Sequence, residues 1–356
     1  MVTVFLYGIT IGSFLNVAIY RLPRGGSLND PKFSFCPTCR RRLQPIELVP
    51  LLSFLIQGRR CRGCKQPISW RYFCVELLTG LLFVALYARY PHSPADLIAL
   101  LLFTAALVPI FFIDLATFQI QDSLNLFALA IAVSRDVIGI ALQEPAHAPL
   151  FGWLPRSVVG GIAGALLFGA VRVAGWIWKR QEAMGFGDVL LARALGAMLV
   201  SFSPADSNPL RLFPIWVLLS CLSGIVVGPA LIFIRLRRER SSAASEEIED
   251  DEAQFADVDS TLGEQLFQIG QALWLADLKL WIEDLVARGA ARHGEKTLPP
   301  AEAPPEEDFA LAPTAIPFGP FLILGFLATV FAGNAITAWY IAWALNRPPA
   351  QALPGE

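Results

Sequence analysis

Long apolar segments recur along this chain, and they constrain its fold more than any other feature. The 356 residues are 55% hydrophobic and 16% charged, and the mean hydropathy is +0.53. Within a bilayer every backbone polar group must be satisfied inside the protein, so apolar segments of about 20 residues are predicted to cross it as helices. The composition therefore predicts an all-α polytopic membrane protein.

About eight transmembrane helices are predicted, together with two polar regions of different character. The predicted domains are a first transmembrane helix (1–20), a polar segment (21–71), a membrane core of six helices (72–235), an insertion (236–315), and the last transmembrane helix with its tail (316–356). The span that begins at Asp122 is predicted to end near Ser134, because Arg135 and Asp136 are costly deeper in hydrocarbon.

The orientation follows from the charge of the polar segment 21–71. This segment carries eleven Lys or Arg residues and two acidic residues, Asp30 and Glu47. Such an excess in a short loop predicts that it lies in the cytoplasm. By parity, Asp114 ends an inward-running helix and Asp188 begins an outward-running one. Both are therefore expected at the cytoplasmic boundary, although 74 positions separate them.

The segment Gly185-Phe186-Gly187-Asp188 places an aspartate beside a long apolar run, which is expensive unless the aspartate has a function. Two carboxylates at one depth can share a proton, because neighbouring like charges cannot both ionise cheaply. The ionised group can activate water while the protonated group polarises a carbonyl, which is aspartyl-protease chemistry. The alternative is that Asp114 and Asp188 are ordinary helix caps. Asp122 is the main competitor of Asp114 as the carboxylate that pairs with Asp188. It lies at a helix start, however, where capping is enough to explain it.

Four cysteines in the polar segment form two C-x-x-C pairs with 21 residues between them: Cys36 with Cys39, and Cys61 with Cys64. Four thiolates at this spacing can close a tetrahedral zinc site and fold a loop too small for a core of its own. Disulfide or redox use is the alternative, which a reducing cytoplasmic location disfavours. Because four protein ligands close the site, the predicted role of the zinc is structural.

Several sequence blocks, in order, resemble the type IV prepilin peptidases, which are bifunctional leader peptidases and N-methyltransferases. The blocks are Gly12-Ser13-Phe14-Leu15-Asn16-Val17, Tyr20-Arg21-Leu22-Pro23, the two cysteine pairs, Glu47-Leu48-Val49-Pro50, Ile113-Asp114 with Asp122, Gly185-Phe186-Gly187-Asp188, and Ile316-Pro317-Phe318-Gly319-Pro320-Phe321. Together they extend over nearly the whole chain outside residues 241–312. One departure is Gln121, where the family usually has proline.

The resemblance implies that Asp114 and Asp188 are the catalytic pair and that Asp122 is secondary. The implied substrate is a prepilin or pseudopilin precursor, cut on the cytoplasmic side of its own hydrophobic helix. The implied second reaction methylates the new N-terminus with S-adenosylmethionine, whose binding residues the sequence leaves unassigned. The implied location is the bacterial inner membrane, with the active site facing the cytoplasm. Lipid is the expected surrounding, and no nucleic acid partner is expected.

The insertion is predicted to be acidic and disordered near its start, with an amphipathic helix of about 25 residues after it. A solvated tether is favoured for residues 241–312, and docking to pilus or secretion assembly proteins is the sharper alternative. For the whole chain, the alternative function is a non-enzymatic membrane scaffold or metal-handling carrier. A carrier should place ionisable groups near mid-membrane, and only Glu76, Arg172 and Arg193 fit that pattern.

Overall fold

The computed structural model describes residues 1–91, 93–150, 152–179, 184–203, 208, 210–230, 232–233 and 317–344. Its helices are α1 (Val2–Arg21), α2 (Leu52–Ile56), α3 (Trp70–Arg89), α4 (Pro94–Thr117), α5 (Asp122–Ala141), α6 (Arg156–Lys179), α7 (Phe186–Ser201), α8 (Phe213–Ala230) and α9 (Gly319–Ala344). No β-strand forms in these ranges, where the extended pairing is limited to isolated bridges. The predicted all-α fold is confirmed.

Two compact units divide the chain, the first made of Met1–Gly228 with Ile316–Glu356 and the second of Pro229–Ala315. Nearly all of the second unit lies outside the described residues. The predictions for the insertion, including its amphipathic helix and its docking role, lie there as well. The functional residues considered below all belong to the first unit.

Seven of the described helices are long and apolar enough to cross a membrane, namely α1, α3, α4, α5, α6, α8 and α9. Helix α7 has 16 residues and is buried along most of its length from Val189 to Ser201. A helix enclosed by protein does not need the length of one that faces lipid. The seven spans and α7 together account for the predicted number of about eight.

Glycines allow α6 to lie directly against α7. A Cβ atom at Gly160 would overlap the carbonyl oxygen of Gly196 and lie 2.8 Å from its carbonyl carbon, and a Cβ atom at Gly196 would overlap the carbonyl oxygen of Gly160. The two backbones are therefore in contact, as is common where small residues line a helix interface in membranes. This contact fixes the position of α7 inside the bundle.

The prediction that the fourth span ends near Ser134 is wrong, because α5 continues to Ala141. Arg135 and Asp136 are 5% and 0% exposed, and both have partners that offset the cost of burial. The Arg135 guanidinium donates to Asp96 at 2.7 Å and also pairs with Glu144. The carboxylate of Asp136 accepts hydrogen bonds from the backbone N–H and the hydroxyl of Ser157, at 2.7 and 2.9 Å.

His147 completes this buried ionic cluster from the loop after α5. Its Nδ1 lies 3.2 Å from Asp136 Oδ1 and its Nε2 lies 3.3 Å from Asp96 Oδ1. Burial lowers the pKa of His147, but the hydrogen bonds with Asp136 and Asp96 outweigh that effect, so the pKa lies above its ordinary value. The Arg135 and Glu144 side chains also face this ring. The cluster thereby joins α4, α5 and α6 through the hydrogen bonds of His147, Arg135 and Ser157.

We expect His147→Gln to lower the free energy of unfolding by about 2 kcal/mol at about pH 6. This is the contribution typical of a hydrogen bond to a charged group. A histidine with a raised pKa stabilises the fold fully below its unfolded pKa and loses that contribution as pH rises through the folded pKa. The difference in melting temperature between wild type and variant should therefore shrink toward alkaline pH in fluorescence-detected unfolding. An equal difference at every pH would show that the charge on His147 does not contribute.

Candidate active site and metal centre

Asp114 and Asp188 are brought together by three helix ends. Asp114 lies in the last turn of α4, Asp188 lies in the first turn of α7, and Gly319 begins α9 between them. Asp114 is only 3% exposed and Asp188 only 8% exposed. Their carboxylates are close enough to repel each other electrostatically. The backbone N–H of Gly319 interacts with both. Asp122, by contrast, is exposed at the start of α5.

Close packing around this pair depends on the absence of side chains at two glycines. A Cβ atom at Gly319 would overlap Asp114 Oδ2 and lie 3.3 Å from Ile120 Cδ1. A Cβ atom at Gly187 would lie 3.1 Å from Ile120 Cβ. Ile120 thus fills the space between the starts of α7 and α9. The turn that carries it begins at Phe118, whose left-handed backbone (φ 56°) ends α4.

Helix capping explains part of the role of Asp188 and none of that of Asp114. Asp188 interacts with the backbone N–H of Gly185, the residue that caps α7, as an acidic third residue does in a capping box. Asp114 lies near the carboxyl end of α4, where the helix dipole disfavours a negative charge. No Lys, Arg or His forms an ion pair with either carboxylate in the part of the chain that the structure describes. Burial without a basic partner is costly, which makes this pair a candidate functional site.

The four predicted ligand cysteines form one cluster. The Sγ atoms of Cys36, Cys39, Cys61 and Cys64 all lie within 4.8 Å of one another. Cys36 Sγ is 3.9 Å from Cys64 Sγ, and Cys39 Sγ is 4.0 Å from Cys61 Sγ. Four sulfurs bound to zinc at about 2.3 Å lie about 3.8 Å apart, whereas a disulfide needs about 2.05 Å. The separations match the zinc geometry and leave all four thiols free.

Each C-x-x-C pair has the same local structure. The residue after the second cysteine of each pair, Arg40 or Lys65, has a left-handed backbone with φ of 58° or 61°. Its N–H donates to the carbonyl of the first cysteine at 3.0 Å, Arg40 to Cys36 and Lys65 to Cys61. These tight turns point backbone N–H groups at the sulfurs. The repeated turn accounts for the meeting of all four sulfurs.

The thiols at this cluster differ in acidity. Burial raises the pKa of Cys36 to about 11. Burial also acts to raise the pKa of Cys61, but hydrogen bonds from the backbone N–H groups of Cys64 and Gly63 and from neighbouring thiols outweigh it, and the pKa falls to about 6. A bound metal cation stabilises the thiolate form of its cysteine ligands, so the four cysteine sulfurs together fit a zinc ion.

Glu47 holds the two cysteine turns together. Its side chain is 1% exposed, and its Oε1 accepts a hydrogen bond from Arg41 at 2.7 Å and lies 3.9 Å from Arg62 Nε. Its Oε2 accepts from the backbone N–H of Gln44 at 2.8 Å. Burial acts to raise the pKa of Glu47, but the hydrogen bonds from Arg41 and from the backbone N–H of Gln44 outweigh it. The pKa of Glu47 therefore lies below its ordinary value. Glu47 is therefore a charged structural residue of the 21–71 segment.

Fold and site together define a multi-pass membrane protein with a buried acidic pair and a separate four-cysteine cluster. Family models match most of the membrane region: the Bacterial Peptidase A24 N-terminal domain matches residues 6–90, and the Type IV leader peptidase family matches residues 101–229. No solved structure matches the chain.

Curated relatives extend this match over nearly the full length. The chain is 34% identical to a prepilin leader peptidase/N-methyltransferase of Myxococcus xanthus over 336 residues, which are 93% of this chain and 90% of that protein. It is 36% identical to the Aeromonas hydrophila protein of the same name, over 65% of this chain and 81% of the relative. It is 31% identical to the Pseudomonas aeruginosa relative, over 66% of this chain and 81% of that protein.

The chain belongs to the type IV leader peptidase family. It is consequently an enzyme, an aspartic endopeptidase, rather than the scaffold or carrier considered as the alternative. Two of the three charges that favoured a carrier, Glu76 and Arg172, have partners in the structure. Glu76 accepts a hydrogen bond from the backbone N–H of Leu51 at 2.7 Å, and the Arg172 guanidinium lies 5.5 Å from the centre of the Phe186 ring.

Purified protein should contain one zinc ion per chain, because the four-cysteine cluster has the geometry for one. Cys61→Ser should remove most of it, since Cys61 is buried and its Sγ is one of the four sulfurs that lie within 4.8 Å of one another. The matched control is Cys74→Ser, on an exposed face of α3 away from the cluster. Elemental analysis of both variants gives the result, and equal zinc in the two would contradict a site at these cysteines.

Proposed function

We propose that Asp114 and Asp188 are the catalytic pair with which this enzyme cleaves the leader peptides of prepilin-like precursors. The observation that supports this most directly is the burial of both carboxylates at one point, against the same Gly319 amide. The curated relatives named above are prepilin leader peptidases. The proposed substrate is therefore a prepilin-like precursor that carries a leader peptide.

The proposed hydrolysis needs one proton shared by the pair. The ionised carboxylate takes a proton from water as the water oxygen attacks the scissile carbonyl carbon, and the protonated carboxyl donates its proton to the carbonyl oxygen. When the tetrahedral intermediate collapses, the C–N bond breaks and the leaving amine takes the proton that the first carboxylate had removed from water. The second carboxylate recovers a proton from a hydroxyl of the intermediate, which restores the starting pair. Close, buried carboxylates suit this cycle, because their mutual repulsion keeps one of them protonated.

Gly319 has two roles in this proposal. Its N–H interacts with both carboxylates and so fixes their relative position. Its missing side chain leaves the space that the Asp114 carboxylate occupies. Catalytic groups must be held to within a fraction of an ångström, so the backbone of α9 acts as a positioning element.

We place this site at the cytoplasmic boundary of the bacterial inner membrane. The basic segment 21–71 follows α1 and carries the charge excess that marks a cytoplasmic loop. Counting spans from there brings the end of α4 and the start of α7 to the same side. A precursor could then present its cleavage site from the cytoplasm while its own hydrophobic helix stays in the membrane.

The second proposed activity is methylation of the N-terminus that cleavage exposes. The relatives are named as N-methyltransferases, and S-adenosylmethionine is the proposed methyl donor. The amine lone pair forms the new N–C bond, the C–S bonding pair returns to sulfur as a thioether, and the amine releases a proton to water. The zinc is proposed to be structural, because four cysteines leave it no open position.

Asp114→Asn and Asp188→Asn should each abolish leader cleavage, with a loss of at least about a hundredfold expected for an essential acid–base group. The measurement is the gel mobility shift of a co-expressed prepilin precursor, at matched amounts of membrane-inserted enzyme. Asp122→Asn is the control, because Asp122 is exposed and outside the pair. Normal processing by either of the first two variants would remove the proposed catalytic pair.

Gly319→Ala should also block cleavage, because the added methyl group would overlap Asp114 Oδ2 and displace that carboxylate. Gly224→Ala in α8 is the matched control, since its Cβ would lie 3.7 Å from the Phe321 ring, an ordinary contact. Both proteins should insert and retain zinc, which separates a local effect from misfolding. If Gly319→Ala processed the precursor at the wild-type rate, close packing at this glycine would not matter for catalysis.

A further inference from the structure

The turn between α4 and α5 starts from one member of the acidic pair. It runs from Phe118 to Gln121, because α4 ends at Thr117 and α5 begins at Asp122. Phe118 has a left-handed backbone, and its N–H donates to the carbonyl oxygen of Asp114 at 2.9 Å. This hydrogen bond closes α4 at the residue that carries the first carboxylate. The path of the turn is therefore fixed from that residue onward.

Ile120 is the residue of this turn that reaches the starts of α7 and α9. Its Cβ, Cδ1 and Cγ1 atoms lie 3.1, 3.5 and 3.6 Å from the position that a Cβ atom of Gly187 would occupy. Its Cδ1 also lies 3.3 Å from the corresponding position at Gly319. Gly187 directly precedes Asp188, and the amide of Gly319 interacts with both carboxylates. One isoleucine side chain thus packs against the backbone beside each member of the pair.

Asn125 attaches the far side of the same turn to α7. It is 1% exposed and lies in the first turn of α5. In the amide orientation that pairs both of its polar atoms, Nδ2 donates to the carbonyl oxygen of Leu190 at 3.2 Å and Oδ1 accepts from the N–H of Leu191 at 3.1 Å. Leu190 lies two residues after Asp188. The path from Asp114 through the turn to Asn125, and back along α7 to Asp188, therefore forms a closed loop.

This loop has to act against the charges that it holds. Asp114 and Asp188 repel each other, and neither forms an ion pair with Lys, Arg or His in the described ranges. Repulsion favours any movement that separates them. A β-branched side chain such as that of Ile120 has few rotamers, and close-packed groups do not shift without cost. Packing of Ile120 against two backbones therefore resists the movement.

We propose that Ile120 is a positioning residue for cleavage, which holds the two carboxylates at the separation at which they share a proton. The inference rests on the proposed catalytic pair and deepens it. Ile120 has no titratable group and acts only through the backbones at Gly187 and Gly319. It is partly exposed, so its truncation leaves the buried core of the bundle in place. Its effect on catalysis can thus be separated from an effect on folding.

The test is the pH dependence of cleavage by full-length protein in lipid nanodiscs, with a purified prepilin precursor that wild type cleaves. Ile120→Ala removes every side-chain atom beyond Cβ and should lower kcat at least about tenfold with little change in KM. Repulsion then moves the carboxylates apart and weakens their coupling, so the pH range of activity should become narrower. Ile120→Val loses only Cδ1, the atom that reaches Gly319. Its kcat should fall between those of wild type and Ile120→Ala.

Ile131→Ala is the matched control. Ile131 is the same side chain, is also partly buried against the main core, and lies nine residues beyond the start of α5 at Asp122. Its kcat and its pH range should equal those of wild type. Membrane insertion and zinc content should be the same in all three variants. Should Ile120→Ala fail to insert, Ile120→Val decides by the same criteria.

The outcomes separate this inference from the proposed function. A wild-type kcat in Ile120→Ala, with Asp114→Asn and Asp188→Asn inactive, would overturn the positioning role and leave the catalytic pair standing. A lower kcat with a pH range of wild-type width would also overturn it, because a structural defect scales the rate without changing its pH dependence. Normal cleavage by either aspartate variant would remove the catalytic pair and this inference together. A narrower pH range in Ile120→Ala, with Ile131→Ala unchanged, supports the role of Ile120.

Discussion

Repulsion between two buried carboxylates is the interaction around which the membrane region is built. Asp114 and Asp188 are held together without a basic partner in the described residues, so the surrounding packing has to oppose their separation. The Gly319 amide supplies one favourable contact to each, and tight backbone contacts hold the helices that carry them. The contact of Gly160 with Gly196 fixes α7. The cost of the pair is thus distributed over the bundle.

The opposite end of the bundle meets the same problem in another way. Around Asp136 each buried carboxylate has a donor: His147, Ser157 or Arg135. The charges are neutralised, and a cluster of this kind confers order rather than reactivity. One end of the molecule therefore leaves its acidic groups without a basic partner in the described residues, as the proposed chemistry requires, and the other end pairs them. This contrast explains why an aspartate in an apolar helix is not by itself evidence of a catalytic site.

Much of the fold could be predicted from the sequence, because hydrocarbon length and loop charge act locally. The membrane spans follow from the lengths of the apolar segments, and the cysteine cluster follows from the two C-x-x-C pairs. The candidate pair follows from the positions of Asp114 and Asp188 at the ends of predicted spans. The length of α5 could not be predicted, since the partners that make Arg135 tolerable are distant in sequence. The same reason conceals the contact of Asn16 with α3, because its amide donates to the carbonyl oxygen of Tyr72, which is distant in sequence. The contact of Gly319 with Asp114 likewise forms only in three dimensions.

The shortness of α7 has a consequence for how water reaches the peptide bond. Its 16 residues extend over about 24 Å, less than the hydrocarbon thickness of about 30 Å. At least one end of this helix must therefore stop below the level of the lipid headgroups, and Asp188 lies in its first turn. In the proposed mechanism Asp188 lies at that recessed end, so the proposed hydrolysis takes place below the level of the lipid headgroups.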